Sequence, residues 1–296
     1  MRLSYVAFAT LLLIAFLMGA NHVAARFAFA HGVDVTTAIA VRSSVTATVV
    51  GFILWSAKVP RNLSLQHPRA LLAVGVLIAA QSYCLYSAVA RLPVALALLG
   101  FNTYPLWIAL WARLLYQHQP ESVVLRVMPV MLCGLALALD VLGAASGLGA
   151  HGQWEVIGEG VIFALAAAAL FGIAMVLTQH ELGDLDGRLR TFSTMTLVAI
   201  LAWITVTTQT GLHLPNATEG WVGLCLLSLL YGTGFTIMFT VLPRLGVVGN
   251  SAIMNVEPVF ALVLAWVLLD QAIAPIQVVG ALVVVSTVMF LGLRKR

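Results

Sequence analysis

The chain is 296 residues long, 61% hydrophobic and only 9% charged, with a mean hydropathy of +1.03. A soluble domain carries roughly a quarter charged residues, so this composition excludes a soluble enzyme, a disordered protein and a nucleic-acid binder. The net charge of +4 comes from basic residues scattered between apolar runs, and in a membrane protein such a bias reports orientation.

A spanning helix needs about 20 mostly apolar residues. In chain order ten candidates appear: 4–28, 35–56, 70–90, 94–116, 123–143, 156–178, 191–210, 220–242, 247–269 and 275–293. The first starts with Arg2 and carries Ala28-Phe29-Ala30, a loose imitation of a signal-peptide cleavage site. It is long for such a segment, however, and it has a counterpart later in the chain. The connections are short and rich in turn residues or charge, as in Lys58-Val59-Pro60-Arg61-Asn62 and Gly183-Asp184-Leu185-Asp186-Gly187. The longest, 144–155, contains Gly147, Gly149 and Gly152 and marks the midpoint.

With the N-terminus in the cytoplasm, twelve of the fifteen Lys and Arg residues fall on the inner side. Arg26 and Arg91 fall outside, and Arg42 lies within a span. That asymmetry predicts ten spans with both termini cytoplasmic. Cys84, Cys133 and Cys225 each sit inside an apolar run, without the spacing of a disulfide framework or a metal site.

Shifted by 153 residues, the two halves align. Leu12, Ala15, Leu17, Gly19 and Val23 match Leu165, Ala168, Leu170, Gly172 and Val176. Arg91, Leu92, Val94, Asn102 and Pro105 match Arg244, Leu245, Val247, Asn255 and Pro258. Each unit holds five spans, and an odd number inserts the second unit upside down. The expected fold is therefore an all-α integral membrane protein of ten helices in two inverted five-helix repeats, residues 1–143 and 156–296, joined by an external linker at 144–155. Inverted repeats around a midplane site are a recurrent transporter architecture.

Three segments carry a family resemblance: Leu17-Met18-Gly19-Ala20-Asn21, Tyr86-Ser87-Ala88-Val89-Ala90-Arg91-Leu92-Pro93 and Asn255-Val256-Glu257-Pro258-Val259-Phe260-Ala261. In these the chain resembles the drug/metabolite transporter superfamily, specifically its EamA-type ten-helix members. The resemblance implies a secondary transporter, an exporter of small organic metabolites in the cell (inner) membrane, with amino acids among the candidate substrates. Glu257 belongs to the family's span-nine pattern, which favours a role in the fold. Where family members often end spans four and nine with Gly-Glu, this chain reads Tyr116-Gln117-His118 and Leu269-Asp270-Gln271.

Charge inside a bilayer costs about 2.5–3.5 kcal/mol per residue even on the insertion scale, so Arg42 and Glu257 stand out. Their depths differ by only roughly 5 Å at about 1.5 Å rise per residue. Arg42 can hold a substrate carboxylate, and Glu257 an amine, a proton or both; the plain alternative is a structural ion pair between them. Asn102 and Asn255 each precede a proline by three residues. Pro105 and Pro258 predict kinked helices, facing a pathway or merely satisfied by packing. Asn255 and Glu257, like Asn102 and Tyr104, lie about 200° apart on a helix and cannot share a face. Tyr83 and Tyr86, at i and i+3, are expected on one face, to stack on substrate or to pack. His22, four residues before Arg26, can relay protons, or serve as a hydrogen-bonded structural residue. Tyr5, Trp55, Trp111, Tyr116, Trp154 and Trp221 lie near span ends, as interfacial residues do.

No phosphate loop, metalloprotease motif or nucleophile elbow occurs. The expected partners are a small-molecule substrate and the lipid bilayer, with no cofactor, metal or nucleic acid. The rivals are an uncoupled uniporter, a channel or a lipid scramblase. A membrane-embedded enzyme would need a clustered catalytic set, and only Glu257 is deep.

Overall fold

The computed structural model describes residues 5–57, 67–117, 122–138, 140, 142–143, 147–245, 257–269 and 274–293. Among these the chain is helical, with no strand. In order the helices are α1 (Tyr5–Ala30), α2 (Val35–Ser56), α3 (His67–Arg91), α4 (Val94–Phe101), α5 (Tyr104–Tyr116) and α6 (Ser122–Ala138). The second half holds α7 (Gly149–Glu181), α8 (Gly187–Thr205), α9 (Thr218–Leu245), α10 (Glu257–Leu269) and α11 (Pro275–Leu293). Counting α4 and α5 as one interrupted span, seven spans are long and apolar enough to cross a bilayer. Shorter apolar helices lie in α6, α10 and α11, at the places of the three remaining expected spans.

One boundary differs from the sequence expectation: helix α7 begins at Gly149, inside the stretch read as linker. The expected start of span nine, residues 247–256, lies outside the described residues, which resume at Glu257 in α10. Local chemistry sets the other ends. Asp34 caps α2 by accepting from the Thr36 and Thr37 amides at 3.2 and 3.1 Å, and Asp186 caps α8 by accepting from the Arg188 amide at 2.8 Å.

Helix packing follows the repeat. Under the 153-residue shift α1 corresponds to α7, α2 to α8, α3 to α9, α5 to α10 and α6 to α11. The strong contacts respect this exchange: α3 with α7 mirrors α9 with α1, α5 with α7 mirrors α10 with α1, and α3 with α8 mirrors α9 with α2. The pairs α2 with α8 and α6 with α11 are their own mirror images. Every major interface thus joins one repeat to the other, and the core lies between the halves.

The connections sort onto two faces. On one, the Asn216 amide donates to the His31 carbonyl at 3.0 Å, joining the α1–α2 and α8–α9 turns. On the other, His67 at the start of α3 meets Asp184 of the α7–α8 turn at 3.1 Å, and the Tyr116 hydroxyl donates to Glu181 at 2.6 Å. These contacts follow the up-and-down order expected for the spans they join. Large apolar side chains such as Phe52, Leu72, Ile162, Leu229 and Trp266 remain on the outer surface, an arrangement that suits hydrocarbon as solvent.

Candidate substrate-binding site

Span four is broken at Asn102 and Thr103. The Asn102 side-chain amide donates to the Leu98 carbonyl at 2.7 Å, and the Thr103 hydroxyl donates to Gly100 O at 2.8 Å. Both close off the carbonyls that end α4. Helix α5 then restarts with Pro105 in its first turn, where a missing N–H costs nothing. The proline read as a mid-helix kink is therefore a helix start. Helix α10 begins in the same register, at Glu257 with Pro258 next. Asn255, its repeat partner to Asn102, lies outside the described residues.

Two glycines seat these restarted helices. A Cβ at Gly19 of α1 would lie 3.0 Å from the Glu257 carbonyl oxygen and 3.2 Å from the Ala261 nitrogen. At the equivalent Gly172 of α7 it would lie 2.8 Å from the Trp107 Cβ and 3.1 Å from the Ile108 nitrogen. Helix backbones meet there because no side chain intervenes. One turn beyond Gly19, on the same face, His22 Nε2 lies 3.4 Å from a Glu257 carboxylate oxygen. The positive end of α10 also favours a negative charge at that position.

Arg42 is 3% exposed. Its terminal nitrogen donates to Ser82 Oγ at 2.9 Å, and its guanidinium carbon lies 4.6 and 3.7 Å from the ring centroids of Tyr86 and Tyr231. Such cation–π contacts contribute about 0.5–2 kcal/mol each. Among the described residues Arg42 makes no ion pair, and its Nε has no hydrogen-bond partner. The ion pair considered for Arg42 and Glu257 is thus absent: Glu257 pairs with His22. Similar depth does not make neighbours. Helix α10 packs on α1, whereas α2 packs chiefly on α8 and α9.

Tyr86, 1% exposed, links the two groups of residues. Its hydroxyl donates to Asn21 Oδ1 at 3.1 Å, its ring lies edge-on to His22 at 5.7 Å, and its face meets Arg42. Tyr83 does not join it. It is 44% exposed and rests against Phe163 of α7, with centroids 6.2 Å apart. Three residues turn the helix by about 300°, and the remaining 60° carries Tyr83 off the buried stripe. Tyr104 packs against Phe101 and Phe171 at 5.6 and 5.2 Å and lies within electrostatic reach of Glu257. Trp111, read as interfacial, donates from its indole to Ala169 O at 3.0 Å and ties α5 to α7. Trp55, Trp154 and Trp221 are exposed.

Asn21, Ser82 and Tyr231 were not singled out as site residues from the sequence. Tyr231 carried a signal, since a phenol in mid-span, far from either interface, needs a polar neighbour. The buried polar set breaks the pseudo-symmetry. Asn21, His22, Arg42, Ser82 and Tyr86 all belong to the first repeat, and the residues 153 positions later are Ala174, Met175, Met195, Phe235 and Phe239. The second repeat supplies Tyr231 and Glu257. Among the described residues no group of three His, Cys, Asp or Glu side chains could hold a metal ion.

Among curated proteins, no sequence matches this one. A solved structure titled "Crystal structure of protein" has the same fold, with a TM-score of 0.67 at 17% identity, covering 97% of this chain and 98% of its own. The model of the EamA-like transporter family matches twice, over residues 6–139 and 158–293, one match per repeat. The chain belongs to the EamA-like transporter family and is a multi-pass membrane transporter of small molecules.

Proposed function

We propose that the chain is a secondary transporter that exports small organic metabolites across the cell (inner) membrane by alternating access, with both termini cytoplasmic. The observation that carries this reading is a buried polar set placed where the two inverted repeats meet. Exchange of the repeats' conformations would open such a site to one side and then the other. The interrupted span four supplies two short rigid segments, α4 and α5, for such a movement. The orientation rests on the twelve-to-two split of basic residues outside the spans.

In this proposal His22 and Glu257 carry the coupling proton. An imidazole and a carboxylate facing each other at 3.4 Å are chemically suited to exchange a proton. A flux assay in proteoliposomes, with and without a proton gradient, tests the whole reading. Gradient-driven accumulation that is lost in Glu257→Gln supports coupling through the pair. Equal flux with and without the gradient makes the chain a uniporter. No flux of any solute screened, beside an active control transporter, removes the transporter mechanism proposed here. Direction is read from cells: overexpression raises tolerance to a toxic substrate for an exporter and lowers it for an importer.

A further inference from the structure

The geometry points to a small organic carboxylate as the substrate, its carboxylate taken by the Arg42 guanidinium and the Asn21 side-chain amide. This rests on the transporter reading of the same site and names the chemistry it recognises. Arg42 is a full positive charge in the protein interior, without an ion-pair partner among the described residues. Tyr86 and Tyr231 present their ring faces to it, which steadies a cation without neutralising it. Ser82 accepts a hydrogen bond from a terminal nitrogen, and Nε is left without a partner.

A second donor points the same way. Tyr86 donates its hydroxyl to Asn21 Oδ1, so the Asn21 amide presents its NH2 group elsewhere. That Nδ2 atom is buried and also has no partner. Both unmatched donors belong to residues that touch the Tyr86 side chain, and one of them is cationic. Unmatched buried donors with a net positive charge call for an acceptor carrying negative charge. A carboxylate fits best, because its two in-plane oxygens match the donors of a guanidinium fork. The tyrosine and phenylalanine rings nearby, Phe29 against Tyr86 and Phe235 stacked on Tyr231, favour an apolar or aromatic body on that carboxylate.

The test uses the purified full chain in detergent and reads thermal melting and tryptophan fluorescence. The probes are benzoate, isovalerate, L-leucine and L-phenylalanine, each against its uncharged amide or aminoamide, together with inorganic phosphate. The expected result is binding of at least one carboxylate, with its amide at least tenfold weaker. Arg42→Gln abolishes that binding, and Asn21→Ala weakens it by roughly tenfold, the loss of one hydrogen bond to a charged group. If Arg42→Gln does not fold, Asn21→Ala decides the matter, its binding compared with wild type at a temperature where both are fully folded. Arg42→Lys keeps the charge but loses the fork, and is expected to bind more weakly than wild type with no change of the carboxylate preference. Equal binding of acid and amide, undiminished binding by Arg42→Gln or Asn21→Ala, or tighter binding of inorganic phosphate each overturns the assignment. So does flux of a neutral solute in vesicles with no carboxylate bound, which leaves the transporter reading standing. Carboxylate binding without flux does the reverse, upholding the site and removing the transport mechanism.

Discussion

At the scale of single residues, the structure replaces one pairing with another. His22 and Glu257 face each other, and Arg42 is steadied by tyrosines instead. Residues in contact show non-additive mutational effects of about 0.5–3 kcal/mol. A double-mutant cycle on melting should therefore give a larger coupling for His22→Gln with Glu257→Gln than for Arg42→Gln with Glu257→Gln. The opposite ranking would restore the Arg42–Glu257 pair. The two tyrosines of α3 are likewise expected to part company. Tyr86→Phe leaves the buried Asn21 amide without its donor and should cost about 1–3 kcal/mol of stability. Tyr83→Phe, at an exposed ring, should change melting by less than about 0.5 kcal/mol. Chemical denaturation in mild detergent measures both. Equal losses would place the two tyrosines in equivalent surroundings.

At the scale of elements, the seats of α5 and α10 are the sensitive points. A methyl at Gly172 meets the Trp107 Cβ and α5 backbone, none of which is the movable end of a side chain. Overpacking of this kind costs about 1–3 kcal/mol, so Gly172→Ala should lower the melting temperature and shift α5. Gly19→Ala should also slow flux, because the atom it crowds is the Glu257 carbonyl. Full activity in both variants would mean that these contacts are loose. Pro105→Ala tests the interrupted span. With Pro105 at a helix start, the substitution should leave insertion and melting nearly unchanged yet slow transport by letting α4 and α5 join. Unchanged flux would make the break incidental. The cap of α8 gives a pH signature. Hydrogen bonds from the Arg188 side chain, more than its backbone amide, hold the Asp186 carboxyl below the usual carboxylate range. A depressed folded-state value stabilises above the ordinary carboxylate range and is lost as pH falls through the lowered value. Asp186→Ala should thus cost about 1 kcal/mol at neutral pH. The gap to wild type should narrow as pH falls below the ordinary carboxylate range and close below the lowered value, as followed by melting between neutral pH and about pH 2. A gap that persists unchanged there would mean that the carboxylate charge contributes nothing.

At the scale of the whole molecule, the two faces defined by the turn contacts carry a topology prediction. A reporter at residue 62 or 187 should read cytoplasmic and one at 149 external. The contacts of His31 with Asn216 on one face, and of His67 with Asp184 on the other, require residues 31 and 216 to read alike and opposite to 67 and 184. A mixed readout within either pair would break the ten-span order. The same scale shows why one asymmetric site suffices. The helices exchange almost completely under the repeat, but Arg42 faces a second half that carries Met195 at the equivalent place, with Tyr231 between them, its hydroxyl 3.7 Å from the Met195 sulfur. Two copies of a buried guanidinium would repel across the interface, and one copy with aromatic neighbours avoids that cost.

The ten apolar runs, their order and the repeat were legible in the residues, because bilayer thickness and the cost of charge in hydrocarbon act on each segment as it stands in the chain. Gly19 and Gly172 were matched at the common offset, but their role as seats for α10 and α5 came only from the backbone approach seen in the structure. Asn102 with Pro105 announced an irregularity, although only the hydrogen bonds to Leu98 and Gly100 made it a break rather than a bend. The partners of the buried polar groups were not legible. His22 meets Glu257, and Arg42 meets Tyr231, across the interface between the two repeats. Depth and helical phase follow from position in a span. Which helices lie side by side follows from lateral packing of the two halves, which the order of residues along one helix does not encode.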